Sequence, residues 1–156
     1  MDGIILEISF PNFRQNVGSL LRKCRKGEVD DIKKMMTKFG PRAIVNAKNH
    51  NQATCLHVAA AKDQPEIITL LFENGANLES EDKNGDTPLR RAIRERKYSS
   101  VEALVKLGAS LEKAKESKNL ESAFNSGLED ERTKAAVAEG KRLAGESKFY
   151  KTRLRV

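Results

Sequence analysis

Apolar residues recur at helical spacing in two runs that echo each other 33 residues apart. Leu56, Ala59 and Ala60 are followed by Leu89, Ala92 and Ile93, and Ile67, Ile68, Leu70 and Leu71 by Val101, Leu104 and Val105. Spacings of three and four place such residues on one face of a helix, so each run predicts a pair of helices, with small alanines allowing close approach. The punctuation agrees. Thr54 and Thr87 precede the first helix of each pair, where a hydroxyl can accept a backbone N–H, and Pro88 sits at a first-turn position where proline forfeits no hydrogen bond. Gly75 and Gly108 stop the second helices, since glycine tolerates the left-handed cap. Asp82-Lys83-Asn84-Gly85-Asp86 has the chemistry of a tight turn.

Aligned, Thr54 pairs with Thr87, Leu56 with Leu89, Ala59 with Ala92, Leu71 with Leu104, Gly75 with Gly108, Ala76 with Ala109 and Leu78 with Leu111. This Thr-x-Leu-x-x-Ala pattern and its period resemble the ankyrin repeat. The resemblance implies an all-α solenoid of about four helix-turn-helix units with short hairpin loops. Two units are clear and two are degenerate caps, stacked because one unit cannot bury its own apolar face. The expected units are 19–50, 51–83, 84–116 and 117–146, preceded by an extension, 1–18, and followed by a basic tail, 147–156. In the first unit Gly27 separates two helices whose core side is Leu20, Cys24, Ile32, Met35 and Met36, and an irregular loop is expected around Gly40 and Pro41. The stretches GANLES and GASLEK are both expected to run out toward a hairpin finger. LESAFNSG from Leu120 repeats the first-helix pattern, and the charged, alanine-rich stretch after it reads as a terminal cap with a wet outer face. Ile4, Leu6, Ile8 and Phe10 alternate as a short extended segment laid over the first repeat would, with a mobile tail as the alternative, and the C-terminal residues are expected to fray. Asp63 and Arg96 stand at the turn between paired helices, where such units often hold glycine, so some strain is expected there, with Asp tolerating it better.

The resemblance implies a non-enzymatic protein-binding module whose finger tips and exposed first-helix faces line a concave surface. Its tips would be His50, Asn51, Gln52 and Ala53, then Lys83, Asn84, Gly85 and Asp86. Its helix face would carry Arg22, Arg25 and Lys26, then Val58, Ala61 and Lys62, then Arg91, Arg94 and Glu95, then Ser122, Asn125 and Ser126. The candidate partner-binding set is therefore Arg22, Arg25, Lys26, His50, Gln52, Val58, Lys62, Lys83, Asn84, Asp86, Arg91, Arg94 and Glu95. Arginines on one face would suit an acidic partner, because the guanidinium offers forked hydrogen bonds to carboxylate or phosphate. Arg90 stands where the repeat usually holds a histidine, as His57 does, which puts that histidine's bond to the turn in question in the third unit. Alternative roles of the same class of protein are a secreted effector, an inhibitor that occludes a host or cellular protein, and a structural subunit of an assembly.

Composition narrows the field. With 38% apolar and 33% charged residues the chain reads as folded and soluble, and no apolar run approaches the ~20 residues of a membrane span. MDGIILEISF lacks the form of a secretory signal, and two cysteines, Cys24 and Cys55, fit a reduced, cytoplasmic setting, or the host cytosol for an effector. A net charge of +7 raises nucleic acid as a partner. The charge concentrates at the ends, with ten Lys or Arg against three acids from Phe13 to Lys48 and six against one from Lys141 to Val156. There is no Trp and no stacking platform, which argues against nucleic acid. Phe149, Tyr150 and Leu154 among the basic residues of the tail would anchor only weakly to an anionic membrane. His57 and Cys55 lie two apart and point to different faces of a helix entry, so they make no catalytic pair. Neither metal-ligand spacing nor a phosphate loop is present, so no metal, cofactor or enzymatic activity is expected. A monomer is the expected state.

Overall fold

The computed structural model describes residues 13–116 and 121–153 of the 156. The described residues form ten helices, which pair as the periodicity predicts. The first pair is α1 (Phe13–Lys26) and α2 (Val29–Phe39), followed by the short α3 (Pro41–Val45). Next come α4 (Cys55–Ala61) with α5 (Pro65–Glu73), and α6 (Pro88–Arg94) with α7 (Tyr98–Leu107). After the short α8 (Leu111–Glu116), the last pair is α9 (Glu121–Glu129) and α10 (Glu131–Arg153). First helices stack in one row, α1 on α4, α4 on α6 and α6 on α9, while α5, α7 and α10 stack behind them. One apolar core runs along the stack, from Leu20, Cys24 and Ile32 through Leu56, Ile68 and Leu71 to Leu89, Ile93, Leu104 and Phe124. Leu70 and Met35, expected inside, are only partly buried.

Backbone hydrogen bonds explain where each helix stops. At Gly75 (φ 92°) and Gly108 (φ 104°) the next N–H reaches back five residues, from Ala76 to Leu71 O at 3.0 Å and from Ala109 to Leu104 O at 2.9 Å. This is the Schellman closure, which requires a left-handed residue. The same closure joins the two helices within a unit. Gly27 provides it in the first unit at φ 79°, whereas Asp63 and Arg96 are forced to it at φ 54° in the second and third. Asp63 offsets its strain by accepting the Ser100 N–H at 2.8 Å. The Arg96 side chain makes an exposed bond to Ser126 Oγ at 3.1 Å.

Two loop expectations are corrected. Gly40 turns the chain at φ 82°, but Pro41 then opens α3 rather than an irregular loop, its fixed φ suiting a first helical position. After Gly108 the stretch expected to run outward is helical instead. LEKAKE winds into α8, because its Leu, Glu, Lys and Ala favour helix and it lacks the Asp-x-x-Gly-Asp turn of the preceding unit. Beyond these loops, α10 runs to Arg153, the last described residue. The readings for Ile4, Leu6, Ile8 and Phe10, and for the side chains of Phe149, Tyr150 and Leu154, fall outside the described residues. On the outer face of the first unit Lys23 takes the position that alanine holds in the later units, ion-paired with Glu28 and Asp31.

Candidate functional site: finger tips and first-helix face

Each finger is folded by an acceptor side chain at its base. Asn49 Oδ1 accepts the N–H groups of Asn51 and Ala53 at 2.8 and 3.1 Å, and Asp82 Oδ1 accepts those of Asn84 and Asp86 at 2.8 and 3.1 Å. The two fingers are strapped edge to edge. Lys83 N–H donates to Asn51 O at 2.9 Å, and its Nζ reaches Asn51 Oδ1 at 2.6 Å. His50, Gln52 and Lys83 are exposed at the tips, and Asn84 is half-buried. Asp86 departs from the expectation for a tip, because its residue is fully buried at 0%.

Asp86 is the node on which the second and third units join. Its carboxylate accepts Arg90 Nε at 3.0 Å through Oδ1 and is ion-paired with Arg94 through Oδ2. Its carbonyl accepts the N–H of Asp82 at 3.1 Å and pairs with His57 Nε2 at 2.9 Å. His57 Nδ1 in turn accepts the Thr54 N–H at 3.1 Å, which leaves the proton on Nε2 and fixes a neutral ring between two units. Burial, supplemented by the Arg91 charge, holds the His57 pKa below the usual histidine range. Because the folded value lies below the unfolded one, near 6.5, the ring's contribution to stability is complete above about pH 6.5 and falls as the pH drops below it. Urea midpoints at pH 7.5 and 5 are expected to differ in that direction, and a His57→Asn variant is expected to lose the part of the slope that this ring supplies.

Arg90 answers the question its substitution raised. It is buried at 0%, donates from Nη1 to Ala114 O at 2.8 Å, and lies over the Phe124 ring with 4.2 Å to the centroid. Where His57 reaches the next finger, Arg90 uses its longer side chain to reach α8 and α9. Sequence reasoning passed over Asp86, Ala114 and Phe124 as partners of Arg90, and Asp82 as the partner of Arg91. The signal was an Asp86–Arg90 pair at i, i+4 on a helix start, a spacing that brings side chains together.

Along the first-helix row the face is the one expected: Arg22, Arg25, Lys26, Lys62, Glu95, Ser122, Asn125 and Ser126 are exposed, while Val58, Ala61, Arg91 and Arg94 are half-buried. The charge on it is distributed differently from the expectation. Arg91 Nη2 bonds Asp82 Oδ2 at 3.0 Å and Arg94 is paired with Asp86, so the third-unit arginines are largely neutralised from within. Both acids are almost wholly buried, with side chains 1% and 0% exposed. Arg22, Arg25 and Lys62 have no carboxylate within ion-pair distance among the described residues, and Lys26 has only Glu28 at 3.8 Å. Elsewhere, Cys24 and Cys55 are buried free thiols, and the contact with Cys24, together with burial, pushes the Cys55 thiol up, the reverse of what a nucleophile requires.

Comparison with known proteins places this geometry. A family model described as ankyrin repeats, three copies, matches residues 20–115, more than half of the chain. The potassium channel KOR2 of Oryza sativa subsp. japonica is 39% identical over 72 residues, 46% of this chain and 10% of the channel. NF-kappa-B inhibitor alpha of Sus scrofa is 40% identical over 65 residues, 42% of this chain and 21% of the inhibitor. A probable 26S proteasome regulatory subunit, p28 of Saccharomyces cerevisiae, is 31% identical over 87 residues, 56% of this chain and 38% of the subunit. The chain thus spans well under two thirds of each of these relatives, and what they share with it is the repeat array. No described helix is long and apolar enough to cross a membrane. The helix pairs, their left-handed stops, the Thr-x-Leu-x-x-Ala starts and the family match together establish that this chain belongs to the ankyrin-repeat family.

Proposed function

We propose that this chain is a non-enzymatic protein-binding module that engages its partner on the concave surface made by the finger tips and first-helix faces. The observation that carries the reading is the row of first helices, whose outward positions are exposed or half-buried while their opposite sides are packed into the stack. A stacked array is rigid, so little ordering entropy is lost when a partner docks. The arginines Arg91 and Arg94 are poor choices for a test, because reversing them sets acids against buried Asp82 and Asp86. The informative comparison is affinity capture by wild type, by a finger-and-helix variant (His50→Glu, Val58→Gln, Lys83→Glu) and by a variant on the opposite row (Glu66→Lys, Thr69→Lys), with far-UV circular dichroism confirming the fold of each. A protein lost only by the first variant is the expected result. Capture lost only by the second, or no protein captured by wild type, would overturn the reading.

A second reading, an occluding inhibitor or an assembly subunit, draws on the similarity to NF-kappa-B inhibitor alpha and to the proteasome regulatory subunit. It uses the same surface and differs in outcome: the captured partner would lose its own activity or be held in a larger complex of fixed stoichiometry.

A further inference from the structure

Three of the four first-row helices are free of acids, and the fourth, α9, carries Glu121 and Glu129. The first helices α1, α4 and α6, read as FRQNVGSLLRKCRK, CLHVAAA and PLRRAIR, contain no Asp or Glu. The second helices mix signs: Asp30 and Asp31 with Lys33, Lys34 and Lys38 on α2, Glu66 and Glu73 on α5, and Glu102 with Lys106 on α7. In the third unit the first-helix cations are met by Asp82 and Asp86. In the first unit Lys23 is met by Glu28 and Asp31 and Lys26 is held only loosely by Glu28 at 3.8 Å, whereas Arg22, Arg25 and Lys62 are not met among the described residues; Arg22, Arg25 and Lys26 lie one and a quarter turns or less apart on one exposed face of α1, with Lys62 at the end of the stacked α4. The α1 macrodipole accounts for cations in its last turn, Lys23, Arg25 and Lys26, but that effect fades beyond one turn and leaves Arg22 unexplained.

Resting on the binding-module reading above, we propose that this end of the surface receives an extended acidic segment of the partner protein. Packed helices lie about 8–10 Å apart and an extended chain advances about 3.3 Å per residue, so carboxylates at every third position meet successive first helices. Val58 and Ala61, half-buried beside Lys62, give an apolar step for a small aliphatic side chain between those carboxylates. That apolar step, with no aromatic residue on this described face, suits a peptide better than nucleic-acid bases, which bind single strands by stacking.

The test uses the full chain and a fluorescent peptide of about 15 residues with Glu at every third position and Leu, Ser and Gly between. A shuffled peptide with its glutamates clustered and an oligothymidylate of similar charge serve as comparison probes. Arg22→Ala/Arg25→Ala is expected to weaken binding of the spaced peptide on the order of tenfold, the size of about 1.4 kcal/mol. Lys33→Ala/Lys106→Ala, which removes the same charge from exposed positions of α2 and α7, is expected to change it less than about twofold. Alanine favours helix at all four positions, so a folding failure is not expected, and circular dichroism checks it. Equal weakening by both variants, no preference over the shuffled peptide, or tighter binding of oligothymidylate would overturn the proposal. If a captured protein is retained in full by Arg22→Ala/Arg25→Ala, only the acidic-segment assignment falls. If wild type captures no protein, the module reading falls first.

Discussion

Asp86→Ala is expected to lower stability by about 3–5 kcal/mol, the cost of removing one partner from a buried ion pair. The cost lies less in the lost attraction than in what is left behind. Arg90 is fully buried and keeps its charge, with Phe124 beneath it and Ala114 O as a neutral acceptor, and neither replaces a carboxylate. Arg94, whose side chain is 13% exposed, can turn toward water and suffers less. The double variant Asp86→Ala/Arg90→Met removes both buried charges and is expected to recover much of the loss, because a buried pair replaced by apolar groups of similar volume is often near neutral. Chemical denaturation of the two single variants and the double variant closes the cycle. A double variant that is no more stable than Asp86→Ala would show that the finger backbone, and not the charge left on Arg90, sets the cost.

The helix pairs, their stops and the face turned outward were legible in the sequence because each depends on short-range rules: a stripe at three and four, a glycine after it, a threonine before it. The left-handed turns at Asp63 and Arg96 were legible for the same reason. What was not legible depends on pairs that the chain brings together only by folding. Asp86 occupies a finger position that reads as an exposed tip, yet the following helix turns Arg90 and Arg94 back onto it and the preceding unit seats His57 against its carbonyl. A count of arginines on one face therefore overstated the positive charge of the third unit and understated the contrast with the first. The winding of Leu111–Glu116 into α8 was also missed, since GASLEK and GANLES align well, and only the residues beyond them, Ala114-Lys115-Glu116 against Glu81-Asp82-Lys83, separate a helix from a turn.

Gly127→Ala is expected to destabilise the last helix pair on the order of 3 kcal/mol, although alanine in place of a helical glycine is ordinarily favourable by about 0.5–1 kcal/mol. Gly127 lies on α9 against α6, and a Cβ built there would stand 2.3 Å from Ile93 O and 3.0 Å from Ile93 C. Those are backbone atoms in a packed helix, so no side chain can move aside; α9 itself must lift. Lifting it withdraws Phe124 from Arg90. Stability in a stacked array is a sum over neighbouring interfaces, so the damage is expected to stay at this one. Amide exchange in residues 121–129 should accelerate while the amides of α5 keep their protection. Gly18 supplies the control: it is exposed on α1, a methyl added to it would meet nothing within 4 Å, and Gly18→Ala is expected to stabilise by about 0.5–1 kcal/mol. Opposite signs for one and the same substitution would show that close backbone approach, and not helix propensity, is what keeps glycine at position 127. If both variants gain stability, α9 does not pack this tightly on α6.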